Sequence, residues 1–137
     1  MKILFYLAPK GDVAYLYDDY TMRQAIEKME YHKYSAVPVI SRDGHYVGTL
    51  TEGDILWELK RRGTVDLHAI ENVIVKQMPR KRDNQPVNIN CKIEDLVMTS
   101  MNQNFVPVVD DNGVFIGLVT RKSIIEYCYN KYKEVYQ

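Results

Sequence analysis

The stretch Val37–Lys60, VPVISRDGHYVGTLTEGDILWELK, returns 69 residues later as Val106–Tyr129, VPVVDDNGVFIGLVTRKSIIEYCY, without a gap. Seven of the 24 aligned positions are identical: Val37/Val106, Pro38/Pro107, Val39/Val108, Gly44/Gly113, Gly48/Gly117, Thr51/Thr120 and Ile55/Ile124. Most of the rest exchange like for like, as in Tyr46/Phe115 and Val47/Ile116. Repeated glycines, prolines and apolar positions demand the same local geometry twice, so the chain carries two copies of one supersecondary unit.

Each copy can be read residue by residue. Val37-Pro38-Val39-Ile40 is a short apolar run that predicts a buried strand. Pro38 has no N–H, which places it near the strand's start or at an edge. Arg42-Asp43-Gly44 and Asp111-Asn112-Gly113 are hairpin turns in which glycine accepts positive φ. Tyr46-Val47-Gly48-Thr49-Leu50 is the return strand, and Gly48 within it marks a close approach by another backbone or a ligand. Thr51 ends the strand and caps a helix running to about Arg62, with Ile55, Leu56 and Leu59 on its apolar face.

Working outward, helices are expected at about Met22–His32 and about Ile93–Asn102. A strand precedes each, around Val13–Tyr17 and Pro86–Ile89. The predicted architecture is therefore α/β (α+β), a β-α-β-β-α unit used twice: a first repeat over residues 1–63, a connector over 64–84 and a second repeat over 85–137. The connector carries a short helix at Leu67–Val73 and a polar, proline-bounded tail. Its basic run Arg80-Lys81-Arg82 reads as solvated charge, with the extension of an anion site as the alternative.

Eighteen basic and eighteen acidic side chains give the 137 residues a formal net charge of zero. That balance argues against a partner that is nucleic acid or an anionic membrane, since both call for surplus Lys and Arg. No apolar run approaches the roughly 20 residues needed to span a bilayer. Cys91 and Cys128 read as reduced structural thiols, which suits a cytoplasmic location. His32, His45 and His68 lie at no metal-ligand spacing, and Asp110-Asp111 falls in a turn. No nucleophile, base and orienting partner can be named together, so an enzyme is not expected.

Taken alone, Thr51-Glu52-Gly53-Asp54 is an ordinary helix start, a threonine cap with acids in the first turn. Taken with the hydrophobic-Pro-Val strand, the DG or NG hairpin and Gly-x-x-Thr-x-x-Asp before a helix, it resembles the cystathionine-β-synthase (CBS) domain, and the chain as a whole resembles a stand-alone tandem pair. The resemblance implies two repeats packed about a pseudo-two-fold axis, with the stretch Phe5–Leu16 as a lead-in strand. It also implies an adenosine-containing ligand in the cleft between them, such as AMP, ADP, ATP, S-adenosylmethionine or cyclic di-AMP, and a regulatory role toward an unidentified partner protein. A homodimer is implied too, with Trp57 and the group Tyr127, Tyr129, Tyr132 and Tyr136 as candidate surfaces.

Carried over by position, Thr51 would approach phosphate or ribose, and Asp54 would accept the two ribose hydroxyls through short charge-assisted bonds. The backbone of Ser35, Ala36 and Val37 would read the adenine edge, Pro38 would wall its slot, and Tyr15 and Tyr34 would flank the ring. The second repeat has Thr120, but Ser123 stands where the first has Asp54, and one hydroxyl cannot replace a double acceptor. Arg121 and Lys122 sit in a first helical turn, against the macrodipole, unless an anion rests there. They are the expected phosphate contacts. The alternative to a sensor is a structural, dimerising interaction module without a working pocket.

Overall fold

The computed structural model describes residues 2–80 and 83–137. In chain order its strands and helices are β1 (Ala8–Pro9), β2 (Leu16–Tyr17), α1 (Met22–His32), β3 (Ala36–Ile40) and β4 (Tyr46–Thr51). Then come α2 (Glu52–Arg62), β5 (Val87–Asn88), β6 (Phe105–Val109), β7 (Phe115–Thr120) and α3 (Arg121–Tyr136). The chain divides into two compact units, one formed by Ala14–Asp83 and the other by the segment up to Val13 together with Asn84–Gln137.

The first unit is built on a three-stranded sheet ordered β2-β3-β4, with β2 parallel and β4 antiparallel to β3. Val37, Val39 and Leu50 are buried to 0–1% exposure on this sheet. They pack with Met22, Ala25 and Met29 of α1 and with Ile70, Val73 and Val75 of the connector. Each such side chain contributes about 1.5–3 kcal/mol by leaving water. α1 starts at a reciprocal capping box between Thr21 and Gln24 and ends at Lys33 in the left-handed region. α2 ends at Gly63, whose φ of 66° is the ordinary glycine stop.

The second unit repeats that sheet and adds a strand, giving β1-β7-β6-β5. Both hairpins share one irregularity: the register slips between Val39 and Ile40 and, at the aligned place, between Val108 and Val109. Gly44 and Gly113 turn them with φ of 93° and 81°.

Four expectations are corrected here. The helix predicted over Ile93–Asn102 is two separate 3-10 turns, Ile93–Leu96 and Thr99–Met101. Ser100 Oγ donates to the Val97 carbonyl, and such local side-chain bonds compete with helical propagation. The connector helix is likewise a 3-10 turn, limited to Leu67–Ile70. Leu56 does not join the apolar face of α2: it is 57% exposed, while Ile55 and Leu59 pack on the core. Finally, the lead-in Phe5–Leu16 is divided: its part up to Val13 folds with the second repeat, where β1 pairs antiparallel with β7, and Ala14–Leu16 stays with the first.

Candidate functional site

Thr51 sits at the junction of β4 and α2. Its hydroxyl accepts the Asp54 N–H at 3.1 Å, and Asp54 Oδ2 accepts the Thr51 N–H at 3.0 Å. This capping box holds the Asp54 side chain at 4% exposure. Register brings the base-side candidates to the same corner. Ala36 pairs with Thr51 across the hairpin, and the Ser35 carbonyl accepts the Glu52 N–H at 3.0 Å. Val37 and Pro38 follow, buried within β3. Ser35, Ala36, Thr51 and Asp54 are therefore brought together by the strand-to-helix turn itself.

Next to that corner lies a cluster the sequence only hinted at. Pro38 stands opposite Thr49 in the ladder. β4 is an edge strand with no further strand to accept its outward-facing N–H groups, and the Thr49 amide is satisfied from the connector, donating to Asp83 Oδ1 at 2.9 Å. Arg80 Nε reaches the same oxygen at 2.7 Å and its Nη2 reaches Oδ2 at 3.3 Å. The pair lies directly over Gly48: a Cβ there would stand 2.4 Å from Asp83 Oδ1 and 2.8 Å from Arg80 Nη2.

The close approach expected at Gly48 is thus made by an ion pair of this same chain. Arg80 is corrected from solvated connector charge to a side chain only 16% exposed; Lys81 and Arg82 lie outside the described residues. Burial pushes the Asp83 carboxyl up, but the Arg80 guanidinium and the Thr49 N–H outweigh it and leave it below the ordinary carboxylate range. The hydrogen-bonded Asp83 raises Arg80, and the charge of Asp54 acts in the same direction, so both acids bear on one guanidinium.

The remaining candidates are more dispersed. Tyr15 packs edge-to-face on Tyr17 at 5.7 Å, with Lys28 above its ring. Tyr34 stacks on His32 at 5.5 Å. A groove of about 660 Å³ between α1 and α2 is lined by Tyr34, Ser35 and Glu52 with Ile26, Met29 and Ile55, and leaves out Thr51 and Asp54.

In the second unit Thr120 caps α3 by accepting the Ser123 N–H at 3.1 Å, and its hydroxyl donates to Ser123 Oγ at 3.0 Å. Arg121 turns its Nε to the carbonyls of Ser100 at 2.7 Å and Gln103 at 3.2 Å. Those bonds give its charge an acceptor without any anion. Lys122 is exposed on the same turn. Cys91 and Cys128 are free thiols, and among the described residues no three His, Cys, Asp or Glu gather as a metal set. No described helix is long and apolar enough to cross a membrane.

The CBS domain family profile matches residues 8–61 and again 75–130. The chain belongs to the CBS-domain family. Its structure resembles a CBS domain protein from Streptococcus pneumoniae TIGR4, 26% identical, with a TM-score of 0.83 over 94% of this chain and 87% of that one. It also resembles CbpB in complex with c-di-AMP, 25% identical, with a TM-score of 0.81 over 99% of this chain and 91% of that one. Among curated relatives, a homoserine O-acetyltransferase of Methanococcus vannielii is 28% identical over 80% of this chain. This CBS pair spans 21% of that protein's length. The two profile matches contain the aligned stretches Val37–Lys60 and Val106–Tyr129, the second match beginning inside the predicted connector, and the mixed α/β fold is that of CBS pair proteins.

Proposed function

We propose that this CBS pair is a regulatory, non-catalytic module that binds an adenine nucleotide (AMP, ADP, ATP or cyclic di-AMP) through its first repeat and passes the bound state, as a homodimer, to a partner protein. The observation that carries the reading is the Thr51–Asp54 corner, where a buried carboxylate and a threonine hydroxyl meet the backbone of Ser35 and Ala36. A carboxylate offers about four acceptor sites, so capping the Thr51 N–H is not by itself in conflict with accepting from a ribose diol. The c-di-AMP bound by CbpB, a protein of the same fold, supports an adenine ligand. The second repeat serves this reading as scaffold, because Ser123 replaces the carboxylate and Arg121 is engaged by backbone carbonyls.

Asp54→Asn separates the capping box from ligand contact, because an amide oxygen can still accept the Thr51 N–H while the charge is lost. Isothermal titration with AMP, ATP and cyclic di-AMP should show binding to the unaltered protein and a loss of about tenfold or more in Asp54→Asn, with Tm nearly unchanged. Equal affinity in both proteins would overturn the assignment of Asp54.

A further inference from the structure

The cluster over Gly48 is more than a contact between connector and sheet. Three groups converge on one pair of oxygens: the Thr49 amide, Arg80 Nε and Arg80 Nη2. The oxygens belong to a carboxylate, yet a backbone N–H together with a forked guanidinium is equally the donor set that holds phosphate. The position beneath carries no side chain, so the space occupied by Asp83 exists only because residue 48 is glycine.

The two partners differ in how firmly they are held. Arg80 is 16% exposed, whereas the Asp83 side chain is 36% exposed, so the acid can swing outward into water. Departure of the acid would leave a largely buried cation and an edge amide without their acceptor, which is costly unless another anion arrives. Thr49, which donates to this anion position, stands two residues before Thr51 on β4, and Thr51 is bonded to Asp54, so the position adjoins the proposed ribose acceptor along one strand.

We infer that the Thr49 amide, the Arg80 guanidinium and the clearance above Gly48 form an anion seat that Asp83 fills from within the chain, and that a phosphate group of the ligand takes this seat by displacing Asp83. The inference rests on the nucleotide reading above and deepens it, naming Arg80 as a phosphate contact and Asp83 as an internal competitor. Ligands with a phosphate beside the ribose then gain the seat, and a bare nucleoside leaves Asp83 in place.

The test compares AMP, adenosine and inorganic phosphate on the full chain in three forms: unaltered, Asp83→Ala and Arg80→Gln. Calorimetry should show AMP binding about tenfold tighter to Asp83→Ala and adenosine unchanged, while Arg80→Gln weakens AMP toward adenosine. Inorganic phosphate should raise the Tm of Asp83→Ala more than that of the unaltered protein. Should Asp83→Ala fail to fold, Asp83→Asn decides by the same measurements, because it keeps an acceptor for Thr49 and loses the charge. An unchanged ratio of AMP to adenosine affinity, with no added response to phosphate, overturns the seat and reduces the ion pair to a clasp on the edge strand. If nucleotides bind while the ratio is unmoved and phosphate adds nothing, the seat falls alone. If phosphate stabilises the variant and no nucleotide binds to any form, the seat stands and the nucleotide reading falls.

Discussion

Gly48 and Gly117 are the same residue of the repeat, yet they are covered by different material. Over Gly48 lie the side chains of Asp83 and Arg80; over Gly117 lies main chain, with the Ala8 carbonyl oxygen 2.3 Å from where a Cβ would be. In the second unit the aligned edge of the hairpin is closed by a strand, β1 on β7, and in the first by an ion pair that needs only one amide. A strand closes an edge through several backbone bonds and permanently. Side chains can rotate away. The comparison assigns stability to the second repeat's edge and exchange to the first's.

Substitution at the paired glycines is the hardest test of that contrast. Gly117→Ala should cost about 3 kcal/mol in denaturant unfolding, since its new methyl meets backbone that cannot step aside. Gly48→Ala should cost about 1 kcal/mol, because two side chains can move. Equal costs would mean that the Arg80–Asp83 cover is as fixed as a strand.

The helix starts sharpen the contrast at a smaller scale. Thr51 and Asp54 form a reciprocal box, whereas Thr120 and Ser123 return no carboxylate to the cap N–H. Ser123→Asp would supply it and place an acid near the positive end of α3. A gain of about 0.5 kcal/mol is expected, read as a rise in Tm. Loss of stability instead would show that Arg121 and its carbonyl acceptors leave no room for the box.

The smallest effect is in pH dependence, at the aligned pair Glu58 and Tyr127. Glu58 is buried against Arg61 and Arg62, while Tyr127 is buried with its hydroxyl donating to Glu94. That hydrogen bond holds the Glu94 carboxyl down to about 2 and raises the Tyr127 phenol to about 12. A depressed acid stabilises the fold above its unfolded value of about 4.3 and loses that contribution as pH falls toward 2. Tyr127→Phe should flatten stability across this window, and NMR titration should find Glu94 moved up. A Glu94 titration unchanged by the variant would remove the hydrogen bond as its cause.

Much of the fold was legible because its signals are local. Glycine in the two hairpins, the threonine caps and the apolar strands each dictate their own geometry, so β3-β4-α2 and β6-β7-α3 stand where the repeat places them. The capping role of Asp54 was readable for the same reason. What escaped depends on distant partners. Arg80 looked like connector charge because nothing nearby in sequence says that Thr49, on an edge strand, has an amide to satisfy. The Ser100 and Gln103 carbonyls that accept the Arg121 Nε were equally hidden, since they come from a stretch whose helix is broken. Gly48 signalled a close approach, but what approaches is a pair of side chains, neither the backbone nor the ligand that its position suggested.

The pairing of Ala8 with Leu118 has a bearing on biosynthesis. A ribosome releases β1 well before its strand partner β7, so β1 must wait, unpaired, while the whole of the first unit emerges. Closing a loop of that length adds little to the equilibrium cost, which grows only with the logarithm of length. It does slow assembly, since such distant pairing comes late. The first unit can therefore mature on the nascent chain while β1 still waits for β7, and the second unit's sheet is completed by a strand made long before its mate.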